Sequence, residues 1–140
     1  APVGAWIAVR GSVERLPILL GLAVLFWTAG FDVIYSLQDE DFDRRAGLRS
    51  IPARFGAARA LVVSALLHVA MVVLLAAVWR LSGGGAIFFG GIAATLAALV
   101  YQHAIVRPGD LSRVDAAFFT ANGFVSMTLC LTGIAQVLAR

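Results

Sequence analysis

An all-α, polytopic transmembrane helical bundle is the fold class this sequence predicts, and three observations carry it. Of its 140 residues, 61% are hydrophobic and 14% charged, with a mean hydropathy of +0.91. A soluble domain carries roughly 45–50% apolar and about 25% charged residues. The charge-free stretches are long: 16–31, resumed after Asp32 as far as 38, then 60–79, 81–106 and 116–139. A spanning helix needs about 20 mostly apolar residues. The stretches are also continuous, whereas strands of a membrane barrel alternate apolar and polar over about ten positions. This composition excludes a disordered chain and argues against an ordinary water-soluble enzyme.

In chain order, residues 1–9 read as the tail of an earlier apolar segment, because no Met or signal-peptide n-region precedes them. The chain is therefore expected to be a piece of something longer. After a loop at 10–15 come spans near 17–38, 58–80, 86–106 and 116–138. An Asp- and Arg-rich loop at 39–57 separates the first two. Gly83-Gly84-Gly85 breaks the second span from the third, and Pro108-Gly109-Asp110 breaks the third from the fourth, as tight helix–helix turns do. Connections this short predict antiparallel neighbours.

All eleven basic residues are Arg, and the net charge is +3. A nucleic-acid site needs a dense basic face on a polar surface; here the arginines fall in short gaps between apolar runs, so no nucleic acid is expected. They set orientation instead. Arg44, Arg45, Arg49, Arg54, Arg59, Arg107 and Arg113 lie on one side, and Arg10, Arg15, Arg80 and Arg140 on the other. That imbalance predicts that the 39–57 loop is cytoplasmic, in a multi-pass protein of the cell's inner membrane. The lone Cys130, inside an apolar run, reads as a small packing residue.

The chemistry concentrates in GFDVIYSLQDEDFD, residues 30–43. If the first helix runs on through it, Asp32, Tyr35, Asp39 and Asp43 fall at i, i+3, i+7 and i+11 and form a stripe down one face, with Thr28 one turn deeper. Val33, Ile34 and Leu37 point elsewhere. A carboxylate in a spanning helix is costly, so it reads as functional by default, and Asp39 and Asp43 repel each other at i,i+4. Something positive must sit on the stripe, either loop arginines or a divalent cation. Hard oxygen ligands suit Mg²⁺, typically held by one or two carboxylates plus substrate phosphates. That suggests a phosphorylated ligand, with Arg44, Arg45 and Arg49 in reach of its oxygens. An EF-hand fails, because Arg44 stands where its loop needs Gly and Ser50 where it needs Glu. Glu40 and Asp41, off the stripe, read as solvated. His68, alone in the second span, reads as a packed helix residue. Gln102, His103 and Asn122 share a depth and are candidates to face the acids.

The string DVIYSLQDEDFDRRAGLRSIPARFG, residues 32–56, resembles the second aspartate-rich motif of the UbiA superfamily of intramembrane prenyltransferases, most like the 4-hydroxybenzoate polyprenyltransferases. APVGAWIAV at 1–9, YQH at 101–103 and AAFFTAN at 116–122 resemble the segments flanking and following that motif in the family. The resemblance implies a bundle of nine transmembrane helices, of which this chain would supply the last four and the end of a fifth. The family's first aspartate motif would lie before residue 1, so the chain alone is not expected to catalyse. The resemblance further implies that Asp39 and Asp43 hold Mg²⁺ against the pyrophosphate of a polyprenyl diphosphate, with Asp32 and Tyr35 lining the same cavity. Arg44, Arg45, Arg49, Gln102 and Asn122 would contact substrate. The implied acceptor is a small aromatic, 4-hydroxybenzoate of ubiquinone biosynthesis, with a dihydroxynaphthoate of menaquinone biosynthesis as the alternative. A non-catalytic membrane protein or divalent-cation pathway is the reading from another class.

Overall fold

The computed structural model describes residues 1–139, which form helices joined by short turns, with no strand among them. Helix α1 (Pro2–Arg10) starts on a proline, tolerated in a first turn where the N–H has no partner to lose. It ends on Gly11, whose N–H bonds to the Ile7 carbonyl at 2.8 Å. It buries no residue and lies along α2 (Arg15–Tyr35).

Helix α2 continues through a 3₁₀ turn, Ser36–Asp39, into α3 (Glu40–Arg45), making a helical rod of 31 residues. At 1.5 Å per residue the rod is about 46 Å long, against about 30 Å of hydrocarbon in a bilayer. Its acidic end therefore stands clear of the apolar layer. Next comes α4 (Ile51–Phe55), capped by Ser50, whose hydroxyl accepts from the Ala53 N–H at 3.3 Å. The stretch expected as loop 39–57 is thus largely helical, because its capping Ser50 and its i,i+4 pairing stabilise short helices on the polar side.

Helices α5 (Ala57–Leu81) and α6 (Ala86–Ile105) follow. The last span opens as a π-helix, Ala116–Ala121, and continues as α7 (Asn122–Leu138). Among the described residues, four helices are long and apolar enough to cross a membrane: Arg15–Arg45, Ala57–Leu81, Ala86–Ile105 and Ala116–Leu138.

The turn between α5 and α6 uses Gly83, Gly84 and Gly85 at φ 88°, 70° and 136°, conformations that cost other residues dearly. Trp79 clasps it: its indole N–H donates to the Gly85 carbonyl at 2.9 Å, and its carbonyl accepts from the Gly84 N–H at 2.7 Å. The next turn is closed by reciprocal backbone bonds between Arg107 and Asp110, at 3.0 and 3.4 Å. Asp110 then accepts from both the amide and the hydroxyl of Ser112, which hold its carboxyl below the ordinary range.

Helix α2 packs most closely on α5, and α6 on α7. The α6–α7 pair runs antiparallel, since the Phe88 N–H reaches Gln136 Oε1 at 3.4 Å while Gly91 lies against Thr132. Two apolar clusters fill the bundle. One, toward the acidic end, holds Val33, Ile34, Leu37, Ala60, Val106, Val114 and Ala117. The other holds Ala23, Met71, Leu75, Ile92, Leu99 and Val125. Between them, every span contributes polar groups: Trp27 and the Gly30 carbonyl, Ser64 and His68, Gln102 and His103, and Asn122.

This layer is cross-linked. The Ser64 hydroxyl donates to the Gly30 carbonyl at 2.7 Å, the Trp27 indole donates to Asn122 Oδ1 at 3.2 Å, and His68 Nδ1 pairs with His103 Nε2 at 2.9 Å. The fit around His68 is tight enough that a Cβ on Gly30 would overlap its ring. Gly30→Ala should therefore destabilise the bundle by about 1–3 kcal/mol, the usual cost of overpacking, measured by denaturant unfolding in mixed micelles. Adding His68→Ala should cost less in this background than in the wild type, because both changes act on one contact.

Candidate functional site

The acidic end is built by opposition of faces. Val33, Ile34 and Leu37 are 7%, 0% and 1% exposed and anchor one side of the rod in the core. Asp32, Tyr35 and Asp39 are exposed and Asp43 is half-buried on the side turned away. The stripe is not straight. Each 3₁₀ residue advances about 120° rather than 100°, so the turn at 36–39 rotates Asp39 and Asp43 by up to about 80° from an unbroken α-helix. The stripe's deepest member, Thr28, spends its hydroxyl on the Val24 carbonyl at 2.7 Å.

Asp32, Asp39 and Asp43 make no side-chain hydrogen bond or ion pair among the described residues. The ion pair there joins Arg44 to Glu40 at 2.5 Å, across i,i+4. Arg45 Nε donates to the Asp41 carbonyl at 3.1 Å, which leaves its terminal nitrogens free. Arg49 lines a surface hollow with Arg44, Gly47, Leu48, Ala53 and Arg54. The arginines are thus gathered next to the acids in sequence but do not neutralise Asp39 or Asp43. Among the described residues no three His, Cys, Asp or Glu side chains come together closely enough to hold a metal ion by themselves.

Two partners of this end come from the last span. Gln38 Nε2 donates to Asp115 Oδ1 at 3.0 Å. The Tyr35 ring packs on Phe118 with centroids 4.4 Å apart, Phe118 meets Phe31 edge-on at 5.2 Å, and Phe31 meets Trp27 at 5.6 Å. An aromatic row thus runs from the acidic rim down to the polar layer, where Trp27 holds Asn122. Nothing in local spacing could place Asp115 or Phe118 here, since their partners lie about eighty residues earlier in the chain.

The candidates grouped with the acids in the sequence sit deeper. Asn122 is level with Trp27, twelve residues and about 18 Å along the rod from Asp39. Its Nδ2 is buried without a partner, and so are both amide atoms of Gln102, which is fully enclosed. His68 is packed, as its surroundings suggested, but against His103 rather than by aliphatic neighbours alone. Cys130, expected to pack, is exposed on the bundle's surface.

Set against known proteins, residues 1–126 match the UbiA prenyltransferase family. The chain is 35% identical to the 4-hydroxybenzoate octaprenyltransferase of Aromatoleum aromaticum over 86% of its own length and 40% of that protein's. Proteins of the same name from Alkalilimnicola ehrlichii and Marinobacter nauticus are 33% and 30% identical, each over 84% of this chain and 40% of the relative. The chain thus spans about two fifths of the length of the curated relatives it matches. No solved structure matches it. On the family match across nine tenths of its residues, with the acidic motif inside the matched region, this chain belongs to the UbiA prenyltransferase family.

Proposed function

We propose that this chain is the C-terminal part of an integral-membrane enzyme that transfers a polyprenyl group from polyprenyl diphosphate to an aromatic acceptor, 4-hydroxybenzoate, in ubiquinone biosynthesis. The observation that carries the reading is the coincidence of two facts. The chain matches relatives named 4-hydroxybenzoate octaprenyltransferase, and Asp32, Asp39 and Asp43 of its matched motif stand unpaired along a helical rod longer than a bilayer's apolar layer.

The donor set fits Mg²⁺. Asp39 and Asp43 offer hard carboxylate oxygens that no arginine occupies, and this cation needs one or two protein carboxylates when substrate phosphates complete its shell. When bound, Mg²⁺ would neutralise charge on the diphosphate as the allylic C–O bond breaks. Asp39 and Asp43 are its holders in this reading, with Asp32 and Tyr35, deeper along the rod, lining the same cavity. Arg45 and Arg49, with nitrogens not committed to Glu40, pair with the diphosphate oxygens and stabilise the departing charge. Arg44, tied to Glu40, holds the motif's short helix in place and reaches the same anion from its far side.

The aromatic row supplies the path for the isoprenoid. A diphosphate head held by Arg45 and Arg49 at the acidic rim leaves its tail free to descend past Tyr35, Phe118 and Phe31 into the apolar layer, away from water. The electron-rich acceptor ring then attacks the allylic carbon, and loss of the ring proton restores aromaticity. Asn122, at the deep end of the row, and Gln102 each carry unpaired amide atoms for substrate. The arginine imbalance supports a cytoplasmic location for the acidic rim at the inner membrane.

The full-length enzyme, assayed with polyprenyl diphosphate and 4-hydroxybenzoate, should lose transfer on chelation and regain it with Mg²⁺. Asp39→Ala and Asp43→Ala should each lower kcat at least about a hundredfold, the scale of losing a preorganised electrostatic contact. Full activity in either variant sinks the assignment. Phe118→Ala should raise KM for a long-chain donor about fivefold, in keeping with the worth of one aromatic contact, while kcat changes less. An unchanged KM would remove the aromatic row from the tail's path.

A further inference from the structure

The 3₁₀ turn that carries Asp39 is held from outside its own helix. Gln38, next to Asp39 in that turn, donates from Nε2 to Oδ1 of Asp115 at 3.0 Å, across 77 residues of chain. The residues just before this pair, Leu37 and Val114, are 1% and 0% exposed and belong to one buried cluster. Their burial delivers Gln38 and Asp115 side by side at the surface of the bundle, so the bond forms between groups already placed. One turn deeper, the Tyr35 ring packs on Phe118. Rod and last span thus meet at two adjacent levels just before Asp39.

Asp115 is committed to this contact. It stands where the π-helical segment Ala116–Ala121 begins, a position where a carboxylate ordinarily accepts from the N–H groups of its own first turn. No such cap forms here, and no arginine pairs with Asp115 among the described residues. The turn needs the support. A 3₁₀ turn has poorer hydrogen-bond geometry than an α-helix, and Asp39 and Asp43 repel each other. A metal ligand works only where its oxygens are held within about 0.5 Å of the productive position.

We propose, on the reading of Asp39 and Asp43 as metal holders, that Gln38 and Asp115 form a positioning clasp. The clasp fixes Asp39 and, through α3, Asp43 in the orientation that holds a metal-bound diphosphate. Asp115 acts through its hydrogen bond to Gln38 and touches neither metal nor substrate. The last span, which gives the metal no carboxylate of its own, thereby sets how tightly the metal is held.

The test titrates the manganese–pyrophosphate complex into the purified full-length protein and follows binding, without turnover, by the EPR signal of Mn²⁺. Gln38→Ala and Asp115→Ala should each weaken binding about fivefold, the scale of one hydrogen bond. The double variant should lose about the same fivefold rather than about twenty-fivefold, because both changes remove one contact. Asp115→Asn, which keeps the accepting oxygen and drops the charge, should bind within about twofold of the wild type. Ser112→Ala, which loosens the neighbouring turn at Asp110, should bind as the wild type does. Four results would each overturn the clasp alone, with Asp39→Ala still weakening binding. These are unchanged binding in both alanine variants, Asp115→Asn as weak as Asp115→Ala, losses that multiply in the double variant, and an equal loss in Ser112→Ala. If Asp39→Ala binds as the wild type does, the metal-holding reading fails and takes the clasp with it.

Discussion

The bundle depends on hydrogen bonding across its middle. Helices in a bilayer gain little by hiding apolar surface from one another, because lipid tails are as apolar as leucine. Close approach and interhelical hydrogen bonds decide who neighbours whom, at about 0.6–2 kcal/mol apiece. Here Ser64 binds α2 to α5, His68 binds α5 to α6, and Trp27 binds α2 to the last span. Small residues admit these contacts, Gly30 beside the His68 ring and Gly91 beside Thr132. With the two apolar clusters above and below, the layer fixes the rotation of each helix about its axis.

That rotation is what aims the acidic end. Once Val33, Ile34 and Leu37 are committed to the core, Asp32 and Tyr35 have no choice of face. The rod's excess length then decides the medium around Asp39 and Asp43. Carboxylates at the centre of a bilayer cost several kcal/mol. A few turns further along the same helix they meet water and ions, and the cost falls away. The 3₁₀ turn adjusts this arrangement by swinging the two outer acids around the rod without bending the buried part. Chemistry and packing are separated along one continuous element.

Much of this was legible from residue order. The spans followed from where charges are absent, because in a membrane that single property sets helix limits. The three consecutive glycines announced their turn, and the period of 3.6 alone separates the acids from Val33, Ile34 and Leu37. Three things were not legible. The 3₁₀ turn at 36–39 carries no residue signature; it is a compromise between packing and the helix repeat. The helicity of α3 and α4 was hidden by their polarity, which reads as loop when apolar runs are the main signal. The pairings of His68 with His103 and of Gln38 with Asp115 span 35 and 77 residues, and such contacts are set by tertiary register rather than by local pattern. Cys130 shows the same limit from the other side, since apolar surroundings in a membrane sequence do not distinguish a core position from an exposed one.

The π-helical opening of the last span constrains its register. A π-turn holds one residue more than the α-turn it replaces. Removing one residue from 116–121 would turn everything on its N-terminal side by about 100°. The lower half, pinned at Thr132 and Gln136, would stay where it is. Phe118 and Asp115 would then give way to other side chains facing the acidic rim, but Val114 and Ala117 would leave the core cluster with them. The π-segment is thus held to its register from both sides, by Val114 and Ala117 in the core and by Phe118 and Asp115 against the acidic end.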